Sequence, residues 1–320
     1  MGKFLLSINE KKNKRFINEI SLLEKSYSFL NKSKSKIEYQ SDLYFKTILP
    51  KFYSKKKYNV DTDTVKKNLY MSPVFIIGLP RSGSTLIESI LSSSHERLPT
   101  CGESNILNST IVKQLQNNNL FDHNFEISNF NFKIDFNLLS KSIIKKFEDL
   151  SVLKKKVNFF FIDKSLENFF YIDLILDLFP NAKFIHCKRN LFHTSIAIYQ
   201  KFLTHLGWAY SYKDILNYIN NYSNIIEFYK KKFPKKIFDL ELEKLTLQKE
   251  EKAKEVFDFC NIKWDIKSLE FYKRKDLLLK TASVKQIRER IYHYDKDKFA
   301  PYKNLAINFY KEFPWLKKYV

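Results

Sequence analysis

Apolar positions change their spacing along this chain, and the change divides it. Phe16, Ile20, Leu23, Tyr27 and Leu30 recur three and four residues apart, which predicts an amphipathic helix over Arg15 to Leu30. The run from Asn31 to Lys36 is a polar break, and Asp61-Thr62-Asp63-Thr64 carries the residues of a helix N-cap. From residue 73 strand-like runs alternate with helical ones. Val74 to Ile77, Phe159 to Ile162, Lys183 to Cys187 and Lys236 to Leu240 read as strands. Helical periodicity predicts helices from Ser84 to Leu91, Asn168 to Phe179, Thr194 to Leu203, Tyr212 to Phe233 and Lys249 to Cys260.

Strands joined by crossover helices imply a parallel sheet with both faces covered, an α/β fold. Residues 1–70 then form a helical, Lys-rich extension, and 71–320 the main domain. Residues 105–157 are polar and aromatic with a mostly helical pattern, and predict a helical insertion at the sheet edge. Tyr272 to Ala300 is charged and irregular, and its length suits a loop that covers a site. No internal repeat of helical-array length is visible.

Composition narrows the reading only a little. At 320 residues with 44% hydrophobic and 16% aromatic content, the chain can build a sizeable core and is not disordered. Its net charge of +21 raises the question of a nucleic-acid partner. Lys, Asn, Ile, Phe and Tyr are all abundant while Gly numbers only 5, the bias of an AT-rich coding sequence. The lysines are scattered, as at Lys55–Lys57, Lys154–Lys156 and Lys230–Lys232, and suit solvated faces better than one binding stripe. No nucleic-acid partner is therefore expected. Cys101, Cys187 and Cys260 are odd in number and have no paired spacing, so a reducing, cytoplasmic setting is expected without disulfides. The histidines show no metal-ligand spacing, and neither a membrane span nor a secretory signal is expected.

The chemistry concentrates in Gly78-Leu79-Pro80-Arg81-Ser82-Gly83-Ser84-Thr85, between the first predicted strand and its helix. A glycine, four residues, a second glycine and a hydroxyl pair make the spacing of a phosphate loop. Amides at a helix N-terminus attract anions by geometry and dipole. Ser84 stands where a nucleoside-triphosphate loop has its lysine, and the nearest cation is Arg81, inside the loop. The loop suits an anionic ester that lacks a γ-phosphate. Asp163-Lys164 and Lys188-Arg189 fall at the carboxyl ends of two further predicted strands, where open α/β sheets bind ligands.

Taken in order, Pro80 to Leu86, Cys101-Gly102-Glu103, Asp163-Lys164 and Phe179 to Arg189 resemble the sulfotransferases that use 3′-phosphoadenosine 5′-phosphosulfate, PAPS. The likeness is to the branch of the bacterial tetratricopeptide-linked and the tyrosylprotein sulfotransferases. Asp258 to Ile262 and Thr281 to Ile287 are similar to its C-terminal segments, so the likeness covers about residues 73 to 300. The resemblance implies a P-loop-like central sheet, PAPS as nucleotide sulfate donor, PAP as product, a hydroxyl or amine acceptor (protein tyrosine, glycan or small molecule), and no metal. It implies donor binding by Arg81, Ser82, Gly83, Ser84 and Thr85, with Arg189 on the 3′-phosphate. Lys164 and Arg81 would stabilise the leaving oxygen, Ser283 would help orient it, and Glu103 would be the base.

Three positions depart from the family pattern. Ser104 stands where the tyrosylprotein branch has its basic glutamate, Ala197 replaces a helix serine, and Leu242 replaces an aromatic near the adenine. Two other readings remain: a P-loop phosphotransferase such as a small-molecule kinase, and a non-enzymatic basic nucleic-acid binder. The cationic surplus would suit acidic acceptors.

Overall fold

The computed structural model describes residues 2–32, 59–94, 97–117, 135–150, 159–274 and 288–320. In chain order the described elements begin with helices α1 (Gly2–Lys12), α2 (Phe16–Lys32) and α3 (Thr62–Asn68). Strand β1 (Val74–Gly78), α4 (Ser84–Ser92), α5 (Ile106–Asn117), α6 (Phe136–Asp149) and β2 (Ile162–Asp163) follow. Next come a 3-10 turn over Leu166–Tyr171, α7 (Ile172–Leu178), β3 (Lys183–Lys188), α8 (Leu191–Lys201) and α9 (Tyr212–Lys232). Strand β4 (Ile237–Glu241), α10 (Leu242–Leu247), α11 (Lys249–Cys260) and α12 (Lys303–Ile307) complete the series.

The chain divides into two compact units, Met1–Tyr53 with Arg189–Glu227 and Asp295–Val320, and Ser54–Lys188 with Phe228–Tyr294. The second holds the sheet, four parallel strands in the order β2-β1-β3-β4. Alternation along β1 and β3 sends Val74, Ile76, Ile185 and Cys187 to one face, where Ile87, Ile90 and Leu91 of α4 and Val256 and Phe257 of α11 close over them. The opposite face is aromatic. Phe75 stacks on Phe184 at 5.5 Å, and Phe179 meets Phe75, Phe147 and Phe161. Across β1 and the middle of β3 both faces are buried, as the crossover pattern requires. Helix α3 belongs to this unit: its N-cap Asp61 accepts from the amides of Asp63 and Thr64, and Asn68 donates to the Leu178 carbonyl at 2.9 Å.

In the first unit α1 and α2 form a hairpin that leaves Leu5, Leu6, Ile17 and Phe29 exposed. Its anchorage is distant in sequence, which is why patterning misses α1. Phe4 stacks on Phe202, and Tyr27 stacks on Tyr199 and donates to its carbonyl at 2.8 Å. The buried carboxylate of Glu19 accepts from Tyr302 Oη at 2.6 Å and Gln200 Nε2 at 3.0 Å. Phe192, Ile196 and Tyr199 of α8 are core residues.

Two expected elements differ in detail. Only Ile162 and Asp163 qualify as β2, although Phe159 and Phe161 still accept from Ser72 and Val74 at 2.8 Å. The helix expected from Asn168 is preceded by a 3-10 turn over Leu166–Tyr171, in which Asn168 Nδ2 donates to Asp163 at 3.0 Å. Among the described residues no helix is long and apolar enough to cross a membrane, and the three cysteines are free thiols. Much of the 105–157 segment and of the Tyr272–Ala300 stretch lies outside the described residues.

Two glycines allow β1 to turn into α4. Gly78 sits at φ 144, and a Cβ there would lie 2.7 Å from the Cys187 carbonyl oxygen of the neighbouring strand. Gly83 sits at φ 94, and a Cβ there would meet Leu242 Cδ1 at 2.7 Å. Leu242, the residue in place of the family aromatic, is thus packed on the loop. On the aromatic face β3 and β4 carry a charged cluster. His186, in register with Asp239, bonds it through Nδ1 at 2.7 Å, and Lys188 and Lys230 reach the other oxygen at 3.1 and 2.9 Å. Burial pushes the His186 imidazole below its usual value, against the pull of Asp239.

Gly83→Ala is expected to destabilise the fold by about 2–3 kcal/mol, from positive φ and overpacking together. In urea denaturation the double variant with Leu242→Ala should lose less than the sum of the two singles, because the clash is then relieved. The His186 shift has a defined sign. Below its usual 6.5 the unfolded chain takes up a proton that the folded chain resists, so stability falls as pH falls from there toward the folded value. Asp239, held low by His186 and two lysines despite burial, adds the same sign below 3.8. Between pH about 7.5 and about 5.5 the melting temperature should drop more steeply for the wild type than for His186→Gln.

Candidate active site

The loop after β1 is shaped by its backbone. Arg81 adopts φ 69, a left-handed conformation that costs a residue with a Cβ about 1 kcal/mol or more. Such outliers concentrate at functional sites. The Ser82 hydroxyl donates to the Leu79 carbonyl at 2.7 Å and so braces the turn from inside. Gly83 is the N-cap of α4 and brings no side-chain acceptor to its first turn. An anion can take that place at the positive end of the helix. Ser82, Ser84 and Thr85 are all buried.

The second part of the site is assembled by strand register. The segment Pro99–Gly102 runs parallel beside β2. Ile162 donates to the Pro99 carbonyl at 2.9 Å, Cys101 to Ile162 at 2.8 Å and Lys164 to Gly102 at 3.0 Å. This ladder places Glu103 level with Lys164. Lys164 is 1% exposed, and its Nζ lies 2.6 Å from Glu103 Oε1 and 3.4 Å from Glu88 Oε2. Glu88, on α4, is fully buried, whereas Glu103 is 46% exposed. Glu88 Oε1 accepts from Thr100 Oγ1 at 2.6 Å, and Thr100 Oγ1 accepts from the Gly102 amide at 3.1 Å. Burial pushes the Glu88 carboxyl up, opposed by the Lys164 ammonium.

Asp163 anchors the ladder from within. It accepts from the Ser165 amide at 2.8 Å, Asn168 Nδ2 at 3.0 Å and Ser104 Oγ at 3.0 Å. Ser104 is therefore a structural donor. Burial pushes Asp163 up, and it does the same to the Cys101 and Cys187 thiols.

In the other unit, Arg189 lies directly after β3, with its guanidinium 5.0 Å over the Phe299 ring, on which His193 also stacks. Asn190 caps α8 by accepting from the His193 amide at 3.0 Å. Ser195, two residues before Ala197, is buried and bonded to the Phe192 carbonyl and to Tyr212. Ser283 lies outside the described residues.

The residues missed from sequence are Glu88 and Thr100. Glu88 did leave a signal. It is the one acid in a helix of apolar and small residues, Ser84–Ser92, whose faces are nearly all buried, so its charge has no route to water.

The model of the Sulfotransferase family matches residues 73–266. An uncharacterised protein of Aquifex aeolicus is 35% identical over 238 residues, 72% of this chain and 30% of that protein. The chain thus spans about 30% of the length of this curated relative. Sulfotransferase STF9 from Mycobacterium avium superposes with a TM-score of 0.43 at 11% identity, over 76% of this chain and 79% of that one. The sulfotransferase domain of the Synechococcus PCC 7002 olefin synthase gives 0.42 at 18% identity, over 69% and 82%. Since the family match takes in the loop, all four strands and the Lys164 cluster, the chain belongs to the sulfotransferase family.

Proposed function

We propose that the protein transfers the sulfuryl group of PAPS to a hydroxyl or amine acceptor, as a member of the bacterial tetratricopeptide-linked and tyrosylprotein branch. The observation that carries this reading is the buried ammonium of Lys164, held level with Glu103 and in contact with the helix that the anion-binding loop opens. That donor set fits a phosphosulfate: amides and an arginine for its oxygens, and an ammonium for the oxygen that leaves. The 5′-phosphosulfate is assigned to the loop, Arg81 through Thr85. Ser82 contributes there through its amide, since its hydroxyl is engaged. The 3′-phosphate is assigned to Arg189, whose place immediately after β3 is the one that the resemblance requires.

PAPS supplies an activated sulfuryl group. The acceptor oxygen (or nitrogen) forms a bond to sulfur as the sulfur–oxygen bond to the 5′-phosphate breaks. The electron pair of the broken bond stays on the phosphate of PAP, and the acceptor proton passes to Glu103. Negative charge grows on the departing oxygen, so fixed cations stabilise the transition state more than the ground state. Lys164 and Arg81 fill that role, and Ser283 is the further hydroxyl that the resemblance assigns to it. A phosphotransferase would need ATP and Mg²⁺, and Ser84 stands where its lysine would be.

Calorimetric titration with PAP, without metal, should show binding that weakens about tenfold to hundredfold in Arg81→Ala and in Arg189→Ala. Binding of ATP·Mg²⁺ in place of PAP would replace this reading with phosphoryl transfer. With a tyrosine peptide or a small alcohol as acceptor, Lys164→Ala should lower kcat by about 10²–10³. Glu103→Gln should lower it by about 10²–10⁴ while PAP affinity is retained.

A further inference from the structure

We infer that Glu88 is a positioning residue for this transfer: it is the buried counter-charge that keeps the Lys164 ammonium in place and so releases Glu103 to serve the acceptor. The inference rests on the sulfuryl-transfer reading for its catalytic meaning, and on geometry for the pairing itself.

Glu88 is built to face Lys164. Thr100 fixes its Oε1 at 2.6 Å and is itself fixed by the Gly102 amide. Oε2 accepts no hydrogen bond among the described residues, and the Lys164 ammonium lies 3.4 Å from it. Neither group reaches water, so neither can exchange the other for solvent. Glu103 differs. It makes the shorter contact at 2.6 Å, yet it is half-exposed and can swing away.

A base has to offer a lone pair to the acceptor proton, and a lone pair engaged by an ammonium is a poor one. Were Glu103 the sole partner of Lys164, its turn toward the acceptor would strand a buried cation. With Glu88 beneath, the ammonium stays paired and aimed whichever way Glu103 points. The other ionisable groups around the pair leave this arrangement standing. The oxygens of Asp163 are taken by Ser165, Asn168 and Ser104, and burial keeps Cys101 and Cys187 as thiols.

Glu88→Gln preserves shape and an acceptor for Thr100 while removing the charge. One readout needs no sulfate donor: trace acetylation of the full chain at mildly alkaline pH, with the Lys164 peptide followed by mass spectrometry against exposed Lys66. A lysine reacts as the neutral amine, so losing a negative neighbour should raise Lys164 labelling by about threefold or more. Unchanged labelling overturns the inference, whatever the transfer assay shows. The other readout is kinetic. In Glu88→Gln, kcat should fall about tenfold to hundredfold with KM for PAPS nearly constant. The pH–rate profile should move to lower pH, and Glu88→Asp should recover part of the rate. A lower kcat with an unmoved profile and no gain from Glu88→Asp would mean packing alone and would overturn the inference. If labelling rises but the wild type neither binds PAP nor transfers sulfate, the proposed activity fails and the Glu88–Lys164 pairing stands. Thr100→Val, which only loosens Glu88, provides a second variant. It should shift labelling the same way by a smaller factor, and no shift in either variant rejects the pairing.

Discussion

An ammonium withdrawn from water must bring carboxylates with it, since a buried ion without a partner costs several kcal/mol. Lys164 is withdrawn almost completely, and the surroundings of β2 are organised by that fact. The parallel ladder from Pro99 to Gly102 carries Glu103 alongside it. Thr100 on the same ladder pins the second acid, which arrives from α4. Asp163, one residue earlier, holds the following turn through Ser165 and Asn168. Remove the cation and Glu88 is left without a counter-charge in a dry interior. The sheet edge, the helix after the loop and the 3-10 turn are thus tied to one charge.

The loop meets a different demand, that of turning a strand sharply into a helix without a side-chain cap. A glycine at φ 94, an arginine at φ 69 and a serine bonded back to Leu79 form a turn whose side chains maintain its shape. The helix dipole and the backbone amides are left for the ligand.

Much of this was legible in the chain. The alternation of apolar runs identified the four strands and most helices, because the central strands are buried on both faces and each crossover returns a helix to the sheet. Asp61 was readable as a cap, since a cap is a local event, and Arg81, Lys164 and Glu103 were reachable through ordered motifs. What escaped depends on contacts distant in sequence. Helix α1 is held by Phe202 and by a hairpin partner rather than by its own pattern. Glu88 reads as one polar residue in a helix until the helix proves to have almost no wet face. Ser104 reads as a lost base until Asp163 proves to need its hydroxyl. Leu242 reads as a missing aromatic until it is found against Gly83.

That last contact ties together two features that are usually free to diverge. Leu242, the residue directly after β4, leaves no space for anything larger than hydrogen on Gly83 of the loop. The start of α10 and the geometry of the loop after β1 thereby share a single side chain. A bulkier or flatter residue at Leu242 would press directly on that turn. Position 242 can therefore be rebuilt only in steps that the glycine turn tolerates, and the leucine is fixed as much by the loop opposite it as by its own helix.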